Sequence, residues 1–285
     1  MNYRHAFHAG NFADVLKHAV LARILTHLLD KPGGFRVVDT HAGIGLYDLE
    51  GDEAGRTGEW QNGIGRVLDA SPTPALADFL APYLETVRRE NPDGGLRHYP
   101  GSPAIVTSML RKHDQLIANE LHPVDADLLE EAMAGRRRAK VMRLDAYTAV
   151  KSLLPPPERR GLLLVDPPFE QPGEFDRMRE AMRAAHQRFA TGTQQIWYPI
   201  KDVKAVARFH DAVAGDGIER ILRIEQWTRR PGLEGPLAGA GMLVVNPPWT
   251  LAEATRAVMP ELTALLATGP GAGWRVDWLV PEASR

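Results

Sequence analysis

From Gln115 onward, short apolar segments alternate with longer amphipathic ones, and this rhythm constrains the fold more than any other feature of the chain. Gln115–Leu121, Ala139–Leu144, Gly161–Val165 and Gln194–Tyr198 read as strands. Val124–Ala134, Ala146–Leu154, Glu174–Ala190 and Asp202–Ala214 read as the helices between them, the second stopped by Pro155-Pro156-Pro157. Such alternation predicts an α/β protein with a doubly wound, mostly parallel sheet. Upstream, Phe12, Val15, Leu16, Ala19, Val20, Ile24 and Leu28 recur at three- and four-residue intervals, which predicts a helix over Asn11–Leu29. A strand over Phe35–Asp39 follows. Arg220–Trp227 and Gly241–Val245, joined by the glycine-rich loop Arg229–Gly239, predict a hairpin and a mixed sheet edge, with a last strand near Trp274–Leu279.

Asp39 and Glu120 are 81 positions apart, whereas a strand–helix–strand unit takes roughly 30 residues or more. The excess predicts an insertion over residues 46–97, with helices near Thr57–Leu68 and Pro74–Arg89, in a core made of residues 1–45 and 98–285. A further helix is expected over Ala104–His113. The 285 residues contain no cysteine, which removes disulfides, thiolate metal sites and cysteine nucleophiles together. The N-terminus lacks an apolar export segment and no apolar run is long enough to span a membrane, so a cytoplasmic protein is expected. A net charge of −2 makes no global case for nucleic acid, so a polyanion-binding enzyme would have to gather its positive charge locally.

In open α/β sheets the ligand lies beyond the carboxyl ends of the strands. Four consecutive strands here end in acids: Asp39, Glu120, Asp145 and Asp166. Any one of them has an ordinary reading as a helix N-cap. Four at one sheet edge call for a ligand that supplies hydroxyls, amines and positive charge. The turn Ala42-Gly43-Ile44-Gly45 lacks the GxGxxG spacing of a pyrophosphate cradle. That disfavours NAD(P) and favours a nucleoside cofactor without phosphates, which S-adenosylmethionine is.

Two proline turns stand out, Asp166-Pro167-Pro168-Phe169 and Asn246-Pro247-Pro248-Trp249. The first resembles the [D/N/S]-P-P-[Y/F/W] motif of methyltransferases that act on amino groups of nucleic-acid bases. Together with Tyr3-Arg4-His5-Ala6-Phe7-His8-Ala9-Gly10-Asn11, Ala13–His18, Asp39–Gly43 and Tyr99–Pro103, it makes the whole chain resemble the RlmJ family. That resemblance implies a Rossmann-like class I methyltransferase with a mostly parallel seven-stranded sheet, an antiparallel edge hairpin and a small helical insertion. It also implies S-adenosylmethionine-dependent methylation of the exocyclic N6 amine of an adenine in 23S rRNA.

Residue by residue, the family pattern implies cofactor contacts at His18, His41, Ser102, Glu120, Asp145, Ala146 and Asp166, and Lys17 and Gly43 beside them are further candidates. It implies catalysis at Asp166 and an RNA contact at Tyr3; Pro167 and Phe169 join Asp166 as candidates in the catalytic turn, and Arg4 and Phe169 are candidate RNA contacts. Phe169 stands where the family often has Tyr, so the stacking face is kept and a hydroxyl is lost. Physical roles agree with these places. Glu120 suits the two ribose hydroxyls, Asp145 the adenine amine of the cofactor, and Asp166 with the Pro167 carbonyl the two hydrogens of the target amine. His5, His8 and His18 have no metal-site spacing, so no metal is expected. The partner is 23S rRNA, with no membrane, no obligate protein partner and a monomeric state. Residues 46–97 read either as an RNA-docking segment through Arg56, Arg66, Arg88 and Arg89 or as a structural lid. Rival readings are a DNA adenine-N6 methyltransferase and a non-catalytic RNA-binding protein on the same fold. The Asn246 turn falls on the antiparallel edge and offers only a neutral amide, so it reads as structural or, at most, as a wall of the base pocket.

Overall fold

The computed structural model describes residues 4–232 and 235–283; Tyr3, one of the expected RNA contacts, lies outside them. In chain order the elements are α1 (Phe12–Leu29), β1 (Arg36–Asp39), β2 (Leu46–Asp48), α2 (Asp52–Thr57), α3 (Ile64–Asp69), α4 (Pro74–Arg89) and β3 (His98–Pro100). There follow α5 (Ser102–Met109), β4 (Gln115–Asn119), α6 (Pro123–Met133), β5 (Ala139–Met142), α7 (Ala146–Leu153), β6 (Gly161–Val165) and α8 (Glu174–Arg188). The chain closes with β7 (Thr193–Pro199), α9 (Val203–Ala214), β8 (Ile221–Trp227), β9 (Gly239–Val245), α10 (Leu251–Leu266) and β10 (Gly273–Val280).

The main sheet has the order β10-β8-β9-β7-β6-β1-β4-β5. The five strands from β7 to β5 are parallel to their neighbours, and the β8–β9 hairpin makes the expected antiparallel edge. β10, the last strand expected near Trp274–Leu279, pairs antiparallel with β8 from Gly273↔Trp227 onward and brings the sheet to eight strands, against the seven implied by the resemblance. The chain runs outward on one side of β1 to β4 and β5, and on the other to β6 and β7. The reversal of strand order therefore falls between β1 and β6, the crevice in which doubly wound sheets take their ligands.

Four local expectations change. The single helix expected over Thr57–Leu68 is broken at Gly58, whose φ of +59° ends α2 in the left-handed region. It is broken again near Gly63, where a Cβ would collide with the backbone of Gly10 and Asn11. The expected helix Ala104–His113 stops at Met109, because Leu110 is extended and the Asp114 carboxylate accepts the amides of Arg111 and Phe35. A two-stranded ribbon, β2 with β3, joins the two ends of the 46–97 segment. Finally α10, a helix not expected from the sequence, carries Pro260 in its interior and buries Leu251, Val258, Met259, Leu262 and Leu266. Packing against α4 and β10 outweighs the lost backbone hydrogen bond.

α1 is the centre of this packing. Its N-cap Asn11 accepts the amides of Ala13 and Asp14 through Oδ1, and the helix contacts α4, α5, α10 and β9. Burial on all sides leaves Asp14, Lys17 and His18 inside the core. Polar side chains can stay there only if each finds a partner. Ile64, Leu76, Phe79, Tyr83 and Val87 of the 46–97 segment belong to the same apolar cluster as α1 and α10.

The Asn246 turn is placed by this topology. β9 runs antiparallel to β7, with Val245 opposite Gln194 at the start of β7, so the turn sits at the amino edge of the parallel strands, opposite Asp166. Asn246 Nδ2 donates to the carbonyls of Ala190 at 2.7 Å and Gly192 at 3.0 Å, and its φ is +48°. It is a structural turn and cannot wall a base pocket at the other edge. Asn246→Ala is expected to cost about 1–3 kcal/mol, because it removes two hydrogen bonds and a residue type tolerant of this backbone. Urea denaturation measures that loss, and the initial rate of methyl transfer should stay at the wild-type level.

Candidate active site

The carboxyl edge of the sheet gathers most of the expected residues in two adjoining groups. The first lines a small cavity between α1, the ends of β1 and β6, and the start of α5; it contains Lys17, His18, Asp39, Ser102, Asp166, Gln195 and Trp197. Lys17 Nζ lies 2.6 Å from Asp166 Oδ2 and 2.8 Å from Asp14 Oδ1, so one ammonium bridges two carboxylates. Asp14 is in turn held by His5 Nε2 at 2.9 Å and by the Gly10 amide at 2.9 Å. Burial alone would raise the Asp14 carboxyl, yet His5, Lys17 and His18 hold it well below its ordinary value. Burial opposes the Lys17 charge too, but Asp14 and Asp166 outweigh it and raise the ammonium above its ordinary range.

Asp39, 1 % exposed, accepts from Ser102 Oγ at 2.7 Å. Burial pushes its carboxyl up to about 7, and the Ser102 hydrogen bond only partly offsets this. Burial likewise lowers the His18 imidazole to about 3, so His18 is neutral near pH 7. Two buried polar atoms on the cavity wall, Gln195 Oε1 and Trp197 Nε1, have no hydrogen-bond partner among the described residues. Buried orphans of this kind are expected where a polar ligand completes the site.

The second group forms the rim. Glu120, one residue past β4, accepts the Gly43 amide on Oε2 and the His122 amide on Oε1, each at 2.9 Å. Burial raises its carboxyl, against the pull of those two amides. A carboxylate offers about four acceptor positions, so acceptor capacity remains for a vicinal diol. Gly43 is required for this approach: its φ is +60°, and a Cβ there would strike Tyr47 Oη. His41 packs edge-on to Tyr147 with ring centroids 6.3 Å apart, and burial lowers its imidazole to about 4. Asp145 is exposed and caps α7, where its Oδ1 accepts the Thr148 amide at 2.9 Å next to Ala146. These residues fit a nucleoside cofactor with an amino-acid end.

Past β6, Asp166 leads into buried Pro167, and Phe169 adopts a left-handed φ of +54°. A large side chain in that region is strained, and such strain concentrates at functional turns. The Phe169 ring meets Phe175 at 5.0 Å and Trp197 at 6.1 Å, both edge-on.

Several of the expected residues are also engaged within the protein. Arg4, expected at the RNA, forms ion pairs with Glu53 of α2 and, at 3.5 Å, with Asp125 of α6. Lys17, expected at the cofactor, is engaged by Asp166 and Asp14. His5, His8 and His18 pair separately, with Asp14, Glu59 and Tyr99. In the 46–97 segment Arg66 donates to the Ala267 and Leu265 carbonyls at the end of α10, and Arg89 to Glu85 and the Ser108 carbonyl. Sequence reasoning missed Asp14, Tyr83, Tyr99, Gln195 and Trp197. Only Asp14 carried a readable signal, since it stands one helical turn before both Lys17 and His18.

Among the described residues no helix is long and apolar enough to cross a membrane. Residues 32–280 match the family model described as "Ribosomal RNA large subunit methyltransferase D, RlmJ". The chain is 40% identical over 283 residues to the ribosomal RNA large subunit methyltransferase J of Haemophilus influenzae, covering 99% of this chain and all of that one. It is 39% identical over 282 residues to the protein of the same name from Escherichia coli K12, with the same coverage. A crystal structure of a Legionella pneumophila protein superposes with a TM-score of 0.86 at 31% identity, covering 95% of this chain and 98% of that one. Matched over most of its length by that model and over nearly all of it by those relatives, the chain belongs to the RlmJ family of ribosomal RNA large subunit methyltransferases.

Proposed function

We propose that this protein transfers the methyl group of S-adenosylmethionine to the exocyclic N6 amine of an adenine in 23S rRNA, with Asp166 as the catalytic residue. The observation that carries the reading is the state of the Asp166 carboxylate. Lys17 anchors Oδ2, while Oδ1 has no hydrogen-bond partner among the described residues. One oxygen is thus fixed and the other is free to accept from an amine at the mouth of the cavity. The lone pair of an adenine N6 is delocalised into the ring, which makes it a poor nucleophile. Asp166 Oδ1 and the Pro167 carbonyl, each accepting one N6 hydrogen, pull that nitrogen toward tetrahedral geometry and aim its lone pair.

The cofactor, held by Glu120, Asp145 with Ala146, and the cavity residues around His18 and Asp39, supplies the methyl group as an electrophile. Positive charge builds on N6 as the new N–C bond forms; the Asp166 carboxylate stabilises it and takes up the proton released. Phe169 offers a face to the target base, a contact worth about 1–3 kcal/mol by comparison with single-strand binders. A base drawn from a duplex has to be extruded first. In this reading residues 46–97 are an inserted segment in a core of residues 1–45 and 98–285. Of its four arginines, Arg56 and Arg88 are exposed without partners among the described residues and are available for RNA phosphates.

The test is incubation with labelled cofactor and unmodified 23S rRNA, followed by mapping of the labelled base. Label on an adenine N6 supports the reading. Label on DNA in its place would favour the DNA rival, and no label on either nucleic acid would favour a non-catalytic binder.

A further inference from the structure

His18 is joined to the 46–97 segment by a chain of buried hydroxyls. Tyr99 Oη lies 2.7 Å from His18 Nδ1 and 3.0 Å from Tyr83 Oη. Tyr83 comes from α4, Tyr99 from β3, and both are fully buried. Burial raises the ionisation of both phenols above their ordinary value, so both keep their protons.

Two directions of donation use the Tyr99 proton; with Tyr99 accepting from both neighbours, its own buried proton would have no acceptor. In one, His18 Nδ1–H donates to Tyr99 and Tyr99 to Tyr83, which leaves the Tyr83 proton without an acceptor, because Tyr99 is the sole hydrogen-bond partner of Tyr83 Oη among the described residues. In the other, Tyr83 donates to Tyr99 and Tyr99 to His18 Nδ1, and every hydroxyl proton is used. An unsatisfied buried donor carries its full desolvation cost; in the first direction that donor is the Tyr83 hydroxyl, sealed in the core, whereas in the second it is the His18 Nε2–H on the cavity, where water or a ligand can accept it, so the second direction prevails. We propose that Tyr83 and Tyr99 are positioning residues that fix neutral His18 as the Nε2–H tautomer, so that it presents an N–H donor to a hydrogen-bond acceptor of the bound cofactor.

The cavity shared by His18, Asp39, Ser102 and Asp166 supports this assignment, since Nε2 has no partner among the described residues. Asp39 and Asp166 bring acceptors to the cavity; His18 so protonated adds a donor. The inference rests on the reading that this cavity takes the cofactor. It also gives the 46–97 segment a part in cofactor binding, because α4 supplies the first hydroxyl of the chain.

The experiment is two-bond ¹H–¹⁵N correlation spectroscopy of the full-length, ¹⁵N-histidine-labelled protein without cofactor, with His18 assigned through its backbone. Wild type is expected to show a protonated Nε2 and an unprotonated Nδ1. Tyr99→Phe and Tyr83→Phe are expected to give mixed tautomers, the first more strongly. Calorimetry should show S-adenosylmethionine bound about tenfold more weakly by Tyr99→Phe, which corresponds to about 1.4 kcal/mol. A protonated Nδ1 in wild type, or a wild-type pattern in both variants, would overturn the inference, and the wild-type spectrum decides even if a variant fails to fold. Absence of any binding heat for S-adenosylmethionine in wild type would overturn the cofactor reading and leave the tautomer result standing by itself.

Discussion

Asp166→Asn is expected to lower the rate of methyl transfer by about 10²–10⁴-fold, the range ascribed to a positioned acid–base group, with a smaller loss of cofactor affinity. The asymmetry of the carboxylate explains why so small a change is so costly. Oδ2 faces the Lys17 ammonium at 2.6 Å and Oδ1 is left for the substrate. An amide has one acceptor oxygen and one donor nitrogen. Turned one way, its NH₂ opposes the ammonium; turned the other, it opposes the hydrogens of the target amine. Neither orientation satisfies both neighbours, and neither carries the charge that stabilises a cationic N6. Single-turnover rates on rRNA, with calorimetry for the cofactor, measure the two effects separately. A variant rate within tenfold of wild type would end the assignment of Asp166 as the catalytic residue.

Lys17→Met is expected to lose about 3–5 kcal/mol of stability near neutral pH, the cost of removing one partner from a buried ion pair. Methionine fills nearly the same space, so the loss is electrostatic rather than a cavity effect. Its pH dependence is a second readout. Asp14 is held below its ordinary value of 3.8, so its contribution is present above that pH and is lost as pH falls further. Lys17 is raised above 10.5, so its contribution is present below that pH and is lost as pH rises past it. Both contributions are whole between those limits. Below about pH 4 Asp14 takes up a proton in the variant, and the gap from wild type should narrow. Urea denaturation of both proteins near pH 7 and near pH 3 tests this. A gap equal at the two values would mean that Lys17 contributes packing and not charge.

The sheet was legible in the sequence because parallel strands buried on both faces are written as short apolar runs, and helices between them as amphipathic ones. The four acids at the strand ends were legible for the same reason, since a strand's last residue is fixed to the sheet edge. α10 was obscured by Pro260, which opposes a helix locally but is tolerated where the opposite face packs on α4 and β10. The break between α2 and α3 came from Gly63 meeting the backbone near Gly10, some fifty positions earlier, and a local pattern holds no record of such a contact.

The two proline turns mark the division most clearly. As strings, Asp166–Phe169 and Asn246–Trp249 are nearly equivalent. Strand direction separates them: β6 runs toward the ligand crevice, and β9, paired antiparallel to β7, runs away from it. By itself the sequence determined the fold class, the acids at the sheet edge and which of the two proline turns follows a parallel strand, because periodicity and motif order are local properties of a chain. The tertiary structure alone decided that Lys17 serves Asp166, that Arg4 is spent on Glu53 and Asp125, and that Tyr83 and Tyr99 reach His18. Each of those contacts joins residues far apart in sequence, and a buried polar group takes whichever partner the packing brings within reach.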